Sequence, residues 1–188
     1  MLESILALDR EIVVAINGAH NAWLDAVMVF ISGKFSWIPL YAAVLFGLFK
    51  KHSWKVAAVF LGAILLNFGL TDQLSVMMKF GFERLRPCHD ALINESLNMV
   101  VNCGGKFGFV SSHASNTMGL AVITALIFKK NWVTYGMLTF ALLNSYSRVY
   151  LGKHFLGDVL GGMALGVTCA YLTYYVAQLI IQKTNLAR

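Results

Sequence analysis

Charge is what this chain has least of. Aspartate, glutamate, lysine and arginine make up 13% of its 188 residues, where a soluble domain carries about 25%. A mean hydropathy of +0.67 and 58% hydrophobic residues argue against an ordinary soluble core and for a polytopic helical membrane protein. Proline is scarce: only Pro39 and Pro87 occur. No Pro/Gly/Ser-rich linker or internal repeat divides the chain, so 1–188 is read as one all-α domain. The net charge is +6, but the basic residues lie between apolar runs rather than as a stripe on a polar domain, so no nucleic-acid partner is expected. No cluster of His, Cys and Asp has metal-ligand spacing, so neither a metal nor another cofactor is expected. Met1-Leu2-Glu3-Ser4 is acidic where a signal peptide carries positive charge, which leaves membrane insertion to the later apolar segments.

What is there is a series of apolar segments. Residues 3–17 alternate apolar and charged positions at helical spacing and carry Glu3, Asp9, Arg10 and Glu11. That pattern predicts an interfacial helix over 1–20. Residues 22–31 are too short to span and end at the turn Ser32-Gly33-Lys34. Spanning segments are expected at 35–49, 54–78, 114–128, 131–146 and 155–181, giving five to six membrane helices. Residues 80–110 are mixed and polar and read as a long loop. Lys50, Lys51, Lys55, Lys129, Lys130, Lys183 and Arg188 fall on one side of this topology, which makes that side cytoplasmic. The acidic residues, the N-terminal helix and the 80–110 loop then face outward, extracytoplasmically.

Three polar clusters lie at the outward ends of these segments: Lys79 with Arg86-Pro87, then Ser111-Ser112-His113, then Ser147-Arg148 with His154 and Asp158. Displacement at phosphorus spreads negative charge over the equatorial oxygens, so fixed cations and N–H donors contribute most of its catalysis. Lys79, Arg86 and Arg148 suit that role. Ser111, Ser112 and the backbone N–H groups that open the next helix add donors at a terminus whose dipole favours an anion. His154 and Asp158 are four apart and share a face where the helix has begun by His154. A carboxylate bonded to one ring nitrogen fixes the tautomer and supports attack by the other. His113, from another segment, is placed to protonate the leaving alkoxide.

Lys79-x6-Arg86-Pro87, Ser111-Ser112-His113 and Ser147-Arg148-x5-His154-x3-Asp158 together resemble the type 2 phosphatidic acid phosphatase (PAP2) superfamily. Three motifs in order, with the right internal spacing, make the resemblance specific. It implies a helical bundle with a metal-independent site on its outer face. Lys79, Arg86 and Arg148 would bind phosphate, with Ser111 and the backbone near Ser112 cradling it. His154 would be the nucleophile, Asp158 its partner and His113 the general acid. The second motif usually reads Pro-Ser-Gly-His; here it is Val110-Ser111-Ser112-His113, so Ser112 must follow a path otherwise taken by glycine.

The activity so implied is hydrolysis of a membrane lipid phosphate or diphosphate through a phosphohistidine, in the inner membrane of a bacterium. Undecaprenyl diphosphate is slightly favoured over lipid A phosphate and phosphatidylglycerol phosphate, because a small, laterally open site suits a polyprenyl chain. The alternatives are a lipid phosphotransferase using the same site, and a membrane protein that binds phosphate lipids without turnover. Oligomeric state is left open. Asp72, two turns before Lys79, reads as a structural partner for a basic residue; Arg84 and Lys106 extend the basic surface or are simply solvated. Gly157, Gly161, Gly162 and Gly166 suit close helix packing within the monomer. Cys88 and Cys103 bracket part of the outward loop and are candidates for a disulfide, with two free thiols as the alternative. Cys169, within an apolar segment, reads as packing.

Overall fold

The computed structural model describes residues 2–186; Arg188, counted above with the basic side, lies outside them. Seven α-helices follow in order: α1 (Leu2–Gly18), α2 (Ala22–Ser32), α3 (Ile38–Lys51), α4 (Trp54–Phe82), α5 (Ser112–Phe128), α6 (Asn131–Tyr150) and α7 (Leu156–Lys183). Local chemistry sets several of the ends. Asn21 caps α2, its side chain accepting from Leu24 N at 2.9 Å. Pro39 sits in the first turn of α3, where its missing N–H is no loss. Glu83 and Lys129 turn left-handed and end α4 and α5. Lys51 Nζ donates to the last carbonyls of α5, Ile127 O at 2.9 Å and Phe128 O at 2.5 Å, so a cation meets the negative end of that helix dipole.

Helix α5 is the central element, packed against α4, α6 and α7. Its contact with α7 is close because Gly162 and Gly166 face the carbonyls of Ser111 and Ser115, and neither glycine has room for a side chain. Three of the four clusters of the apolar core among the described residues follow the bundle. Leu48, Phe60, Ile123, Ala170 and Ile181 fill the basic end. Met118, Met137 and Phe140 join α5 to α6. Val13, Ala114, Val149, Phe155 and Val159 sit beneath the opposite end.

That opposite end holds the C-termini of α4 and α6 and the N-termini of α5 and α7. Helix α1 lies across it. Its inner stripe, Asp9, Val13 and Asn17, is buried at four-residue spacing. Asn17 donates to Tyr150 O at 2.7 Å and Asn98 O at 3.0 Å, which ties α1 to α6 and to the loop. The 83–111 segment folds back on itself through an antiparallel bridge between Leu85 and Phe107. Arg86 N donates to Lys106 O at 3.1 Å, and Gly108 N to Arg84 O at 2.7 Å. Cys88 and Cys103 are joined as a disulfide, with a Cα–Cα distance of 6.2 Å.

The count of membrane helices differs from the five to six expected. Among the described residues only α4 and α7 are long and apolar enough by themselves, and α1 with α2 adds a third only if the pair, bent by 116°, is taken as one span. Helix α3 has 14 residues and α5 has 17, short of the ~20 that cross a bilayer core. Helix α6 reaches 20 residues, but Asn131, Thr134, Asn144, Ser145, Ser147 and Arg148 dilute its apolar run. The outward surface is apolar nonetheless: Phe46, Leu65, Phe68, Met77, Leu172 and Tyr175 are all exposed. Exposed Trp54 and Trp132 mark the basic end, and exposed Trp23 the other, the arrangement of an aromatic belt. Apolar helices with this exposed surface are those of a membrane protein.

Candidate active site

All three sequence clusters arrive at the end of the bundle beneath α1, each carried by a helix terminus. Lys79 lies in the last turn of α4. Ser111, Ser112 and His113 open α5. Arg148 lies in the last turn of α6, and Asp158 in the first turn of α7, with His154 in the tight connection between them.

The two serines of the second cluster divide their work. Ser111 is buried and caps α5, its Oγ accepting from Ala114 N at 3.4 Å, while its own N–H donates to Asp158 O at 2.9 Å. The Ser112 hydroxyl instead accepts from Ser75 Oγ at 2.6 Å and meets Lys79 Nζ. It is therefore Ser112 that shares the cation's surroundings, without the glycine usual at that place.

His154 is fully enclosed. Burial pushes its imidazole well below the ordinary histidine range, and Arg86, Arg148, Lys79 and His113 push the same way. The ring is thus held neutral, with its lone pair free. Its Nδ1 lies 3.4 Å from Asp158 Oδ2, too far for a formed hydrogen bond; such bonds commonly tighten only when substrate binds. Asp158 Oδ2 also accepts from Phe155 N at 3.1 Å. Gly108 passes so close that a Cβ there would stand 2.6 Å from Asp158 Oδ2.

Arg86 is fixed from behind by the loop, donating through Nε to Phe107 O at 3.1 Å and through Nη1 to Cys103 O at 2.9 Å. Arg148 donates through Nη1 to Ser32 Oγ at 2.5 Å, while its Nε is buried with no partner among the described residues. A buried, unpaired guanidinium nitrogen is costly and is ready to receive an anion. Lys153, beside His154, is half-buried; burial lowers its pKa, and Arg148 and Arg86 lower it further. Four cations therefore crowd one small region.

Several contributors were not legible in the motifs. His113 Nε2 lies 3.2 Å from Asn144 Oδ1, and Asn144 Nδ2 is engaged by Phe140 O at 2.9 Å. The amide oxygen therefore accepts from the ring, and Nδ1 of His113 is left free. An asparagine within an apolar helix was the available signal, since such a group is costly without a purpose. Arg84 turns inward to carboxylates rather than outward to solvent. Asp72 lies near Lys79 and acts on its charge. Cys88, His89 and Cys103 bring their ligand atoms within 4.8 Å of one another, but the two sulfurs are bonded to each other and offer no thiolate.

Below the histidines lies a cavity of about 610 Å³ between α3, α4 and α5. Lys34, Asp72, Ser112, His113 and Asn116 line its mouth, and Leu45, Leu61, Ile64 and Leu120 are among its apolar walls. A polar mouth over an apolar trough suits an amphiphile.

Comparison with known proteins accords with this chemistry. The chain is 36% identical over 180 residues to the lipid A 4'-phosphatase of Bacteroides thetaiotaomicron, covering 94% of this chain and 80% of that protein. It is 24% identical over 175 residues to the undecaprenyl-diphosphatase BcrC of Bacillus subtilis, covering 92% and 86%. Its fold matches the crystal structure of a transmembrane PAP2-type phosphatidylglycerolphosphate phosphatase from Bacillus subtilis with a TM-score of 0.75 at 27% identity, covering 94% of this chain and 88% of that one. The PAP2 superfamily profile matches residues 54–182, and with that match the chain belongs to the PAP2 superfamily.

Proposed function

We propose that the protein is a metal-independent lipid phosphatase of a bacterial inner membrane, with its site on the outer face. The observation that carries this reading is the enclosure of one neutral histidine by Lys79, Arg86 and Arg148, with a carboxylate at its Nδ1. In the proposed reaction Nε2 of His154 attacks phosphorus, the P–N bond forms and the P–O ester bond breaks. The leaving oxygen takes a proton from Nδ1 of His113, which enters this step as the imidazolium with its Nε2–H held by Asn144 and leaves it neutral. Water, deprotonated by His113, then attacks phosphorus and the P–N bond breaks, releasing inorganic phosphate. The cations stabilise the charge that develops on the equatorial oxygens in both steps.

In this reading α3, α5 and α6 cross the membrane with α4 and α7, their short apolar runs completed by flanking residues, and α1 lies in the outer interface. Seven basic residues read on the far side support the orientation. The relative of highest identity quoted above favours a phosphorylated glycolipid of the lipid A type, ahead of the polyprenyl diphosphate favoured on site size alone.

The test is phosphate release in detergent with EDTA from lipid A, undecaprenyl diphosphate and phosphatidylglycerol phosphate. Wild type is expected to release phosphate from at least one of them and His154→Ala from none. No release by folded wild type from any lipid would overturn the hydrolase reading, and transfer of labelled phosphate to a lipid acceptor would replace it with the transferase one.

A further inference from the structure

The part of the site least explained by phosphate binding is the side of Asp158 turned away from His154. Asp158 Oδ1 accepts from Arg84 Nη1 at 2.9 Å, and Arg84 Nη2 donates to Asp9 Oδ2 at 2.6 Å. Both carboxylates are buried, the Asp158 side chain completely, and Arg84 is only 21% exposed. Asp9 also accepts from Gly157 N, at 3.1 Å and 3.2 Å to its two oxygens, so α1 supplies a carboxylate to the first turn of α7. The approach requires Gly157: a Cβ there would stand 2.8 Å from Asp9 Oδ2 and 3.1 Å from Arg84 Nη1. The guanidinium also lies over the Phe155 ring at 4.5 Å from its centroid, a cation–π contact that holds its plane.

We propose that Arg84 and Asp9 are positioning residues, a carboxylate–guanidinium–carboxylate chain that holds Asp158 in the orientation His154 needs. Each oxygen of Asp158 then has one task. Oδ1 is held by Arg84, and Oδ2, steadied by the Phe155 N–H, faces His154 Nδ1. With Arg84 absent, Asp158 and Asp9 would be two buried carboxylates without the cation between them, and Asp158 could turn from the histidine. Asp9 holds the far fork of Arg84, so the N-terminal helix belongs to the machinery rather than merely lying on the membrane. The chain acts through Asp158 and touches no substrate. It rests on the proposed roles of His154 and Asp158.

The test is steady-state phosphate release by full-length protein in detergent, on whichever of lipid A, undecaprenyl diphosphate and phosphatidylglycerol phosphate wild type cleaves fastest. Partners that orient a reactive group from behind typically contribute about ten- to a hundredfold. Asp9→Asn is expected near the lower value and Arg84→Gln near the upper, in kcat, with KM within about twofold of wild type. Because Asp9 acts through Arg84, the double variant is expected to match Arg84→Gln alone rather than to show multiplied losses. Arg10→Gln removes the neighbouring ion pair between α1 and the loop, Arg10 to Asp90 at 2.7 Å, and is expected to leave kcat within about twofold.

Unchanged kcat in Asp9→Asn and Arg84→Gln, multiplied losses in the double variant, or an equal loss in Arg10→Gln would each overturn the proposal. The last would mean that α1 matters only as a docked helix. If Arg84→Gln is not monodisperse, Gly157→Ala and Asp9→Asn carry the test, each with the loss expected in kcat alone. Wild type that releases no phosphate would instead sink the phosphatase reading itself, a result distinct from active wild type with unaffected variants.

Discussion

At the scale of the residue, the proposed reaction depends on histidines kept in the right protonation state at the right moment. In the proposed reaction His154 attacks as the neutral ring, and burial, with Arg86, Arg148, Lys79 and His113 pushing the same way against the facing carboxylate of Asp158, favours that form. The consequence for stability has a definite sign. In the unfolded chain the ring takes a proton near its ordinary value of 6.5, whereas in the folded chain it resists until well below that. The unfolded state therefore binds more protons as pH falls through that window, and folding stability is lost on the acid side. Above it, His154 contributes no slope. The apparent Tm of wild type in detergent is expected to fall more steeply than that of His154→Gln from about pH 7.5 to about pH 5; parallel profiles would count against the enclosure. Which residues would gather here was largely readable beforehand, because Lys79, Arg86, His113, Arg148, His154 and Asp158 stand at fixed intervals. Arg84 was not. A basic residue two positions before Arg86 looks like one more surface cation until the fold brings Asp9 and Asp158 to either side of it.

At the scale of the element, α5 and α7 must approach closely enough for Ser111 N to reach Asp158 O, and glycine sets that distance. Gly162 and Gly166 meet the backbone of α5 with no space for a Cβ, whereas Gly136 on α6 has nothing within 4 Å. Gly166→Ala is expected to destabilise by about 1–3 kcal/mol through overpacking. Gly136→Ala is expected to be neutral or to stabilise by up to about 1 kcal/mol through helix propensity. Thermal unfolding of the two variants in the same detergent checks this, and equal shifts would contradict the close α5–α7 contact. The small-xxx-small spacing announced such packing, and the structure finds its partner within the monomer. Helix number was harder to read. Helices α3 and α5 are short and Asn144, Ser145, Ser147 and Arg148 interrupt the apolar run of α6, so polar residues at and beside the candidate site weaken the hydropathy signal by which spans are recognised. The loop between α4 and α5 was opaque for another reason: the pairing of Leu85 with Phe107 joins residues far apart in sequence, and no local pattern encodes it.

At the scale of the whole molecule, charge, apolar surface and cavity share one axis. Lys51, Lys129 and Lys130 lie close together at one end, and His113 and His154 lie at the other. Between them the cavity of about 610 Å³ runs from the polar mouth at Ser112 and His113 down to Leu48 and Leu61. A lipid phosphate placed with its headgroup among the cations would lay its chain along this trough, in the same sense as the surrounding bilayer. The hydrophobic part of the substrate then contributes binding rather than chemistry, and only long-chain substrates benefit. Ile64→Trp, which fills the apolar half without approaching His154, is expected to raise KM for a long-chain phosphate lipid about tenfold with kcat little changed, the signature of lost uniform binding. A short-chain or water-soluble phosphate monoester should show no such rise, because it never reaches the trough. The measurement is a pair of saturation curves, one for each substrate length, on wild type and variant. A loss common to both lengths would mean that the tryptophan disturbs the site itself, and no loss for either would place the chain somewhere other than between α3, α4 and α5.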